Sequence, residues 1–218
     1  MTPDWSRITD PQARLALAAS LEVSGWTTKW AGLSAAEDAA RRAVLHGFAA
    51  GQMPSLDASV LRALQARDVL VLGADGDIRA AYPFCAWESE HLVQLGTGMS
   101  VRALCAIDAL GMGAMLGCDT VITSRCRCCG AAIRITTCDD GESLGTVAPD
   151  TTIVWSGIAY AGNCGATSGC KLKAFFCSEA HLRQWRAETM PEGRGFALSV
   201  AAAMQMGRAL FVPMLQVG

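Results

Sequence analysis

The order of the apolar stretches in the second half of the chain most constrains its fold. Four short stretches rich in β-branched, aromatic or other apolar residues follow one another, separated by Gly, Asp and Asn turns and with no helix between them: residues 120–124, 131–136, 152–160 and 171–176. Parallel strands require a connection of about a dozen residues or more, usually a helix. The pattern therefore predicts mainly antiparallel pairing and an α+β fold.

The first 80 residues show the pattern of three helices followed by a β-hairpin. The helices have favourable N-caps at Asp10, Ser34 and Ser55. Residues 69–72 and 78–84 flank the turn Asp75-Gly76 and are typical hairpin strands. We therefore expect a winged-helix-like covering domain over residues 1–80. A thiol-bearing catalytic domain of short antiparallel sheets and helices is expected over residues 81–218.

The charge of the first part argues against a nucleic-acid partner. Residues 1–80 carry eight Lys or Arg against nine Asp or Glu, and the whole chain has a formal net charge of −2. Phosphate binding needs a basic surface. A structural domain that packs on the second part is therefore the favoured interpretation, with DNA binding as the alternative.

Composition predicts a compact cytoplasmic protein with no membrane association. Hydrophobic residues make up 51% of the 218 residues and charged residues 17%. No apolar run reaches the roughly 18 to 20 residues of a membrane span, and the N-terminus has no signal-peptide pattern. Ten cysteines is a high count for such a protein, in which thiols usually serve metal binding or catalysis, and none precedes Cys85.

One group of thiols centres on residues 100–110. Ser100 is a favourable N-cap and the Ala and Leu residues after it favour a helix, so Cys105 and Asp108 are expected three apart on one helix face. Apolar surroundings would hold the carboxyl group closer to its protonated form. Such a pair can bind a metal and deliver a proton. The alternative is that Cys105 is an ordinary core cysteine.

Cys170 is the third candidate, because it lies where a glycine-rich loop enters a strand and a thiol there can be accessible. That loop contains Gly162, Gly165 and Gly169. The alternative is an ordinary reduced thiol at the end of a strand. Spacing alone does not show whether Cys170 meets Cys105.

A second group of thiols has the spacing of a zinc knuckle. Cys126 and Cys129 form a C-x-x-C pair followed by glycine, and Cys177 with His181 completes a Cys₃His set. We expect either a structural zinc here or a set of reduced thiols beneath a hairpin.

The segment Cys105-Ala106-Ile107-Asp108 resembles the Cys-Ala-Leu-Asp motif of the organomercurial lyases, also called alkylmercury lyases. Ser124-Arg125-Cys126 resembles the family's Ser-His-Cys segment, whose cysteine has a structural role. Cys170, five residues before Phe175-Phe176, is placed like the family's second catalytic cysteine, and Trp185 matches a tryptophan of the next helix. The N-terminal helices and hairpin resemble the family's winged-helix region. The chain departs from the family in its extra thiols, which include Cys128, Cys129, Cys164 and Cys177.

The resemblance implies mercury detoxification by protonolysis of a carbon–mercury bond to a hydrocarbon and Hg(II). Cys105, Asp108 and Cys170 would be catalytic, with Cys105 and Cys170 holding the product. The chemistry would need no cofactor. Low-molecular-weight thiols would remove Hg(II), or it would pass to a mercuric reductase. The alternative function is a metal-binding or metal-sensing protein in which Cys126, Cys129, Cys177 and His181 bind zinc or a heavy metal.

Overall fold

The computed structural model describes residues 1–159 and 169–216. Gly162, Cys164 and Gly165 of the glycine-rich loop lie outside these ranges. The helices within them are α1 Pro11–Ser24, α2 Trp26–Trp30, α3 Ala35–Ala50, α4 Ala58–Ala66, α5 Ala106–Leu116, α6 Glu179–Thr189 and α7 Val200–Leu215. The strands are β1 Leu70–Leu72, β2 Ile78–Ala81, β3 Phe84–Cys85, β4 His91–Leu95, β5 Ser100–Ala103, β6 Thr120–Arg125, β7 Ala132–Cys138, β8 Ser143–Ala148, β9 Ile153–Gly157, β10 Lys173–Phe176 and β11 Gly195–Ser199.

The strands form two sheets in which every neighbouring pair is antiparallel. The larger sheet has eight strands in the order β1-β2-β3-β5-β4-β6-β7-β8, and the smaller has the order β10-β9-β11. The predicted α+β class with antiparallel pairing is therefore confirmed. The sequence of residues 196–210 favours a final helix, and this prediction is wrong at its start, because β11 pairs with β9 and α7 begins only after its N-cap, Ser199.

The helix predicted from Ser100 is also wrong at its start. Residues Ser100–Ala103 form β5, which is hydrogen-bonded to β4 on one side and β3 on the other. Helix α5 begins at Ala106, and Cys105 is its N-cap in an extended conformation. Pairing with two strands overrides the helix propensity of this stretch. The consequence for the site is small, because an N-cap residue still lies beside the third residue of its helix.

In the N-terminal part, α1, α3, α4 and the β1–β2 hairpin lie where the sequence predicts them. Ser34 caps α3 as predicted and forms a capping box with Glu37, whereas Asp57 caps α4 in place of Ser55. The winged-helix interpretation is not confirmed. The predicted boundary at residue 80 falls within β2, and the sheet continues across it. No helix in the described ranges is long and apolar enough to cross a membrane.

Helix α5 is held against α7 by a contact between two glycines. Residues 106–115 of α5 are all buried. A Cβ on Gly111 would lie 2.6 Å from the carbonyl carbon of Gly207, and a Cβ on Gly207 would lie 2.7 Å from the carbonyl oxygen of Ile107. The two backbones therefore touch, and this contact fixes the start of α5 relative to the rest of the core.

Gly111→Ala is expected to destabilise the fold by about 1–3 kcal/mol, the usual cost of overpacking a core. The added methyl group meets backbone, which has little freedom to move aside. Urea unfolding followed by circular dichroism measures the change. Ala201→Ser, on the exposed face of α7, is the control and should change stability by less than about 0.5 kcal/mol. Equal stability of Gly111→Ala and the wild type would show that the helices are not in close contact.

Candidate active site

The structure brings Cys105, Asp108 and Cys170 together. Cys105 caps α5, Asp108 lies in the first turn of that helix, and Cys170 begins the short 3₁₀ turn that leads into β10. Their sulfur and carboxylate ligand atoms all lie within 4.8 Å of one another. Cys170 Sγ donates a hydrogen bond to Asp108 Oδ2 at 3.5 Å. Cys170 therefore does lie close to Cys105, which the spacing of these residues in the sequence could not show.

All three side chains are buried, with exposed fractions of 1%, 3% and 8% for Cys105, Asp108 and Cys170. Burial and the charge of the neighbouring Cys105 raise the pKa of Asp108 well above its ordinary value. For Cys105, burial alone would raise the pKa, but a hydrogen bond from Cys170 and the charge of Lys173 lower it to about 6. The hydrogen bond to Cys105, followed by burial, raises the pKa of Cys170 well above its ordinary value. Near neutral pH the site holds a thiolate at Cys105 and a thiol at Cys170, and burial favours the protonated form of Asp108.

A pocket with an empty volume of about 580 Å³ opens onto these three groups. Its other walls come mainly from apolar residues of α1, α2 and α7: Leu17, Leu21, Trp26, Leu210 and Phe211. The N-terminal helices thus supply part of the wall. The pocket combines a soft nucleophile and a buried acid with space for an apolar group.

The family model described as alkylmercury lyase (MerB) matches residues 84–212, which is more than half of the chain and contains all three groups. The chain belongs to the alkylmercury lyase family. No curated protein sequence matches this chain. Among solved structures, it is similar in fold to the "Crystal structure of the mercury-bound form of MerB2", with a TM-score of 0.75 and 23% identity over 95% of this chain and 100% of that chain.

The lowered pKa of Cys105 predicts how the reactivity of this thiol changes with pH. Alkylation of Cys105 by iodoacetamide should rise with a midpoint near pH 6 and level off above it, because the thiolate is the nucleophile. Peptide mass spectrometry at a series of pH values measures this rate. Lys173→Met should move the midpoint upward, because it removes a positive charge near the thiolate. A wild-type midpoint near pH 8.5, that of an ordinary thiol, would contradict the assignment.

Four residues near the site were not identified from the sequence: Trp26, Tyr82, Cys85 and Lys173. Lys173 lies three residues after Cys170 and lines the pocket, as do Trp26 and Tyr82. Cys85 is buried on β3 beside β5, and burial together with the charge of Asp108 raises its pKa to about 12. Lys173 could have been identified from the sequence, because it is a basic residue close to Cys170. The positions of Trp26, Tyr82 and Cys85 depend on strand pairing and helix packing between distant segments.

The second predicted group also comes together, away from the pocket. The ligand atoms of Cys126, Cys129, Cys177 and His181 all lie within 4.8 Å of one another. Cys126 is buried, Cys129 is exposed, and Cys177 and His181 are half-buried. The described part of the chain therefore contains two separate thiol clusters.

Proposed function

We propose that this chain is an organomercurial lyase that cleaves a carbon–mercury bond by protonolysis. The observation that carries this proposal is the contact of two cysteines and one buried carboxyl group in a single pocket. Mercury(II) is soft and prefers thiolate, so two cysteines select an organomercury cation over harder ions. A nucleophile alone would only capture the metal, whereas the adjacent acid allows the bond to carbon to be cleaved.

Cys105 acts first in this mechanism. Its thiolate attacks mercury in R–Hg–X and displaces X⁻, forming a Cys105 S–Hg–R adduct. The low pKa of Cys105 keeps it ionised at neutral pH. The organic group R then occupies the apolar part of the pocket beside Asp108.

Asp108 then delivers the proton. The electron pair of the C–Hg bond takes the proton from Asp108, and the hydrocarbon RH leaves. The Cys170 sulfur bonds to mercury as its own proton passes to Asp108, along the hydrogen bond between these two groups. In the net reaction, R–Hg–X reacts with the Cys105 thiolate and the Cys170 thiol. The products are RH, X⁻ and a Cys105–Hg–Cys170 dithiolate. Asp108 ends protonated and ready for another turnover.

Product removal requires a further thiol. Low-molecular-weight thiols such as glutathione exchange with the two cysteines and carry Hg(II) away, or pass it to a mercuric reductase. The cytoplasm maintains such thiols in the reduced state, so a cytoplasmic location fits this role. No cofactor is needed for these steps, and the outcome is mercury resistance.

The test is hydrocarbon release from phenylmercury and methylmercury in excess glutathione, measured by gas chromatography. The proposal predicts benzene and methane from the wild type at a rate that scales with protein concentration. The alternative function, a metal sensor, requires sequence-specific DNA binding, which a gel-shift assay measures. A sequence-specific shift with no hydrocarbon would favour the sensor.

A further inference from the structure

We propose that Cys126, Cys129, Cys177 and His181 hold a structural zinc ion. The ligands are three sulfur atoms and His181 Nδ1, contributed by two distant segments of the chain. This site is separate from the pocket, and the proposal does not depend on the lyase reaction. The local geometry of each segment and the spacing of their ligand atoms support the site.

The first segment is a tight turn that directs Cys126 and Cys129 to one side. Gly130 N donates to Cys126 O at 2.8 Å, and Gly130 has φ +74°, a left-handed conformation that favours glycine. Cys126 N donates to Ala131 O at 2.8 Å and closes the turn on its other side. A closed C-x-x-C turn of this kind holds its two sulfur atoms where one ion can bind both.

The second segment joins the end of β10 to the first turn of α6. Cys177 directly follows β10, and Ser178 caps α6 by accepting a hydrogen bond from His181 N. This cap places His181 in the first turn, on the same side as Cys177. His181 Nδ1 lies 2.8 Å from Cys177 Sγ and 3.9 Å from Cys126 Sγ.

The distance between one sulfur atom of each segment fits a tetrahedral ion. Cys129 Sγ and Cys177 Sγ are 3.7 Å apart. Zn–S bonds of about 2.3 Å place two sulfur ligands of a tetrahedral zinc about 3.8 Å apart, whereas a disulfide would bring them to about 2.05 Å. Three cysteines and one histidine form a complete set of four ligands, which is typical of structural rather than catalytic zinc.

The zinc would connect the turn that contains Cys126 and Cys129 to β10, the strand that follows Cys170. Arg127 N donates to Phe175 O at 3.0 Å, and Arg127 Nη1 donates to Lys171 O at 3.4 Å. Cys170 begins the turn that leads directly into this strand. We therefore assign the ion a role in holding β10, and with it Cys170, in place.

The metal content of the purified full-length protein tests the proposal. Inductively coupled plasma mass spectrometry should find one zinc ion per chain in the wild type. After dialysis against a competing chelator, Cys129→Ser and Cys177→Ser should retain at least about tenfold less zinc, since each loses a thiolate ligand. The matched control is Cys128→Ser, in the same turn but outside the ligand set, and it should retain zinc as the wild type does. Cys105→Ser should also retain it, which separates this site from the pocket.

Cobalt substitution of the wild type provides a measurement that does not depend on the folding of a variant. Cobalt(II) should give the visible bands of tetrahedral coordination and a near-ultraviolet thiolate charge-transfer band. Cys177→Ser should reduce that band by about one third, because three sulfur ligands become two. The proposal is overturned if the wild type contains no zinc and gives no tetrahedral cobalt spectrum. It is equally overturned if Cys129→Ser and Cys177→Ser both keep their zinc.

Discussion

Asp108→Asn is expected to lower the rate of hydrocarbon release by about 10²- to 10⁴-fold, the usual contribution of a general acid. Asparagine has nearly the same shape as the protonated carboxyl group that burial favours at this position, so the fold and the two thiols should remain intact. It has no acidic proton to give to carbon. The organomercurial should therefore still bind to Cys105, and the reaction should stop at the adduct.

Two measurements separate capture from cleavage in this variant. Gas chromatography gives the rate of hydrocarbon release, and intact-protein mass spectrometry shows whether R–Hg remains attached. Asp150→Asn is the control, because Asp150 is exposed and lies outside the pocket, and it should release hydrocarbon at the wild-type rate. Wild-type turnover by Asp108→Asn would assign the proton to another donor.

Cys105→Ser is expected to abolish hydrocarbon release and capture together. A serine hydroxyl stays un-ionised at neutral pH and is a hard ligand, whereas Cys105 is a thiolate with a pKa of about 6. Cys170→Ser should also damage both activities, because mercury would keep only one sulfur ligand. The same chromatography and mass spectrometry apply to both variants.

Cys118→Ser is the matched control for these two substitutions. Cys118 is a half-buried free cysteine outside both thiol clusters, so its loss should leave hydrocarbon release unchanged. If Cys105→Ser kept measurable turnover, the nucleophile would have to be another thiol. Cys85 would then be the first to examine, because the charges of both Asp108 and Cys105 influence it.

Features of the fold that depend on local chemistry could be predicted from the sequence. The N-caps of α1 at Asp10 and of α3 at Ser34 are set by residues next to one another in the chain. The start of α5 was predicted five residues too early, because β5 is fixed by strands distant in sequence. The same cause explains β11, which pairs with β9 although its sequence also suits a helix.

The candidate site was predictable to a similar extent. The Cys105 and Asp108 pair and the C-x-x-C turn each carry a local signal, so the sequence identified their members. The meeting of Cys170 with Cys105 and the part that Trp26 plays in the pocket wall are set by packing between distant segments. No spacing rule reports such contacts, and only the folded chain shows them.

Benzene release from one equivalent of phenylmercury per chain, without added thiol, tests the central claim most directly. If Cys105, Asp108 and Cys170 cleave the carbon–mercury bond, the wild type should release one benzene per chain and keep the mercury bound by two sulfur ligands. Asp108→Asn should release none on the same timescale while keeping the phenylmercury. No benzene from the wild type, or equal release from Asp108→Asn, would contradict the account.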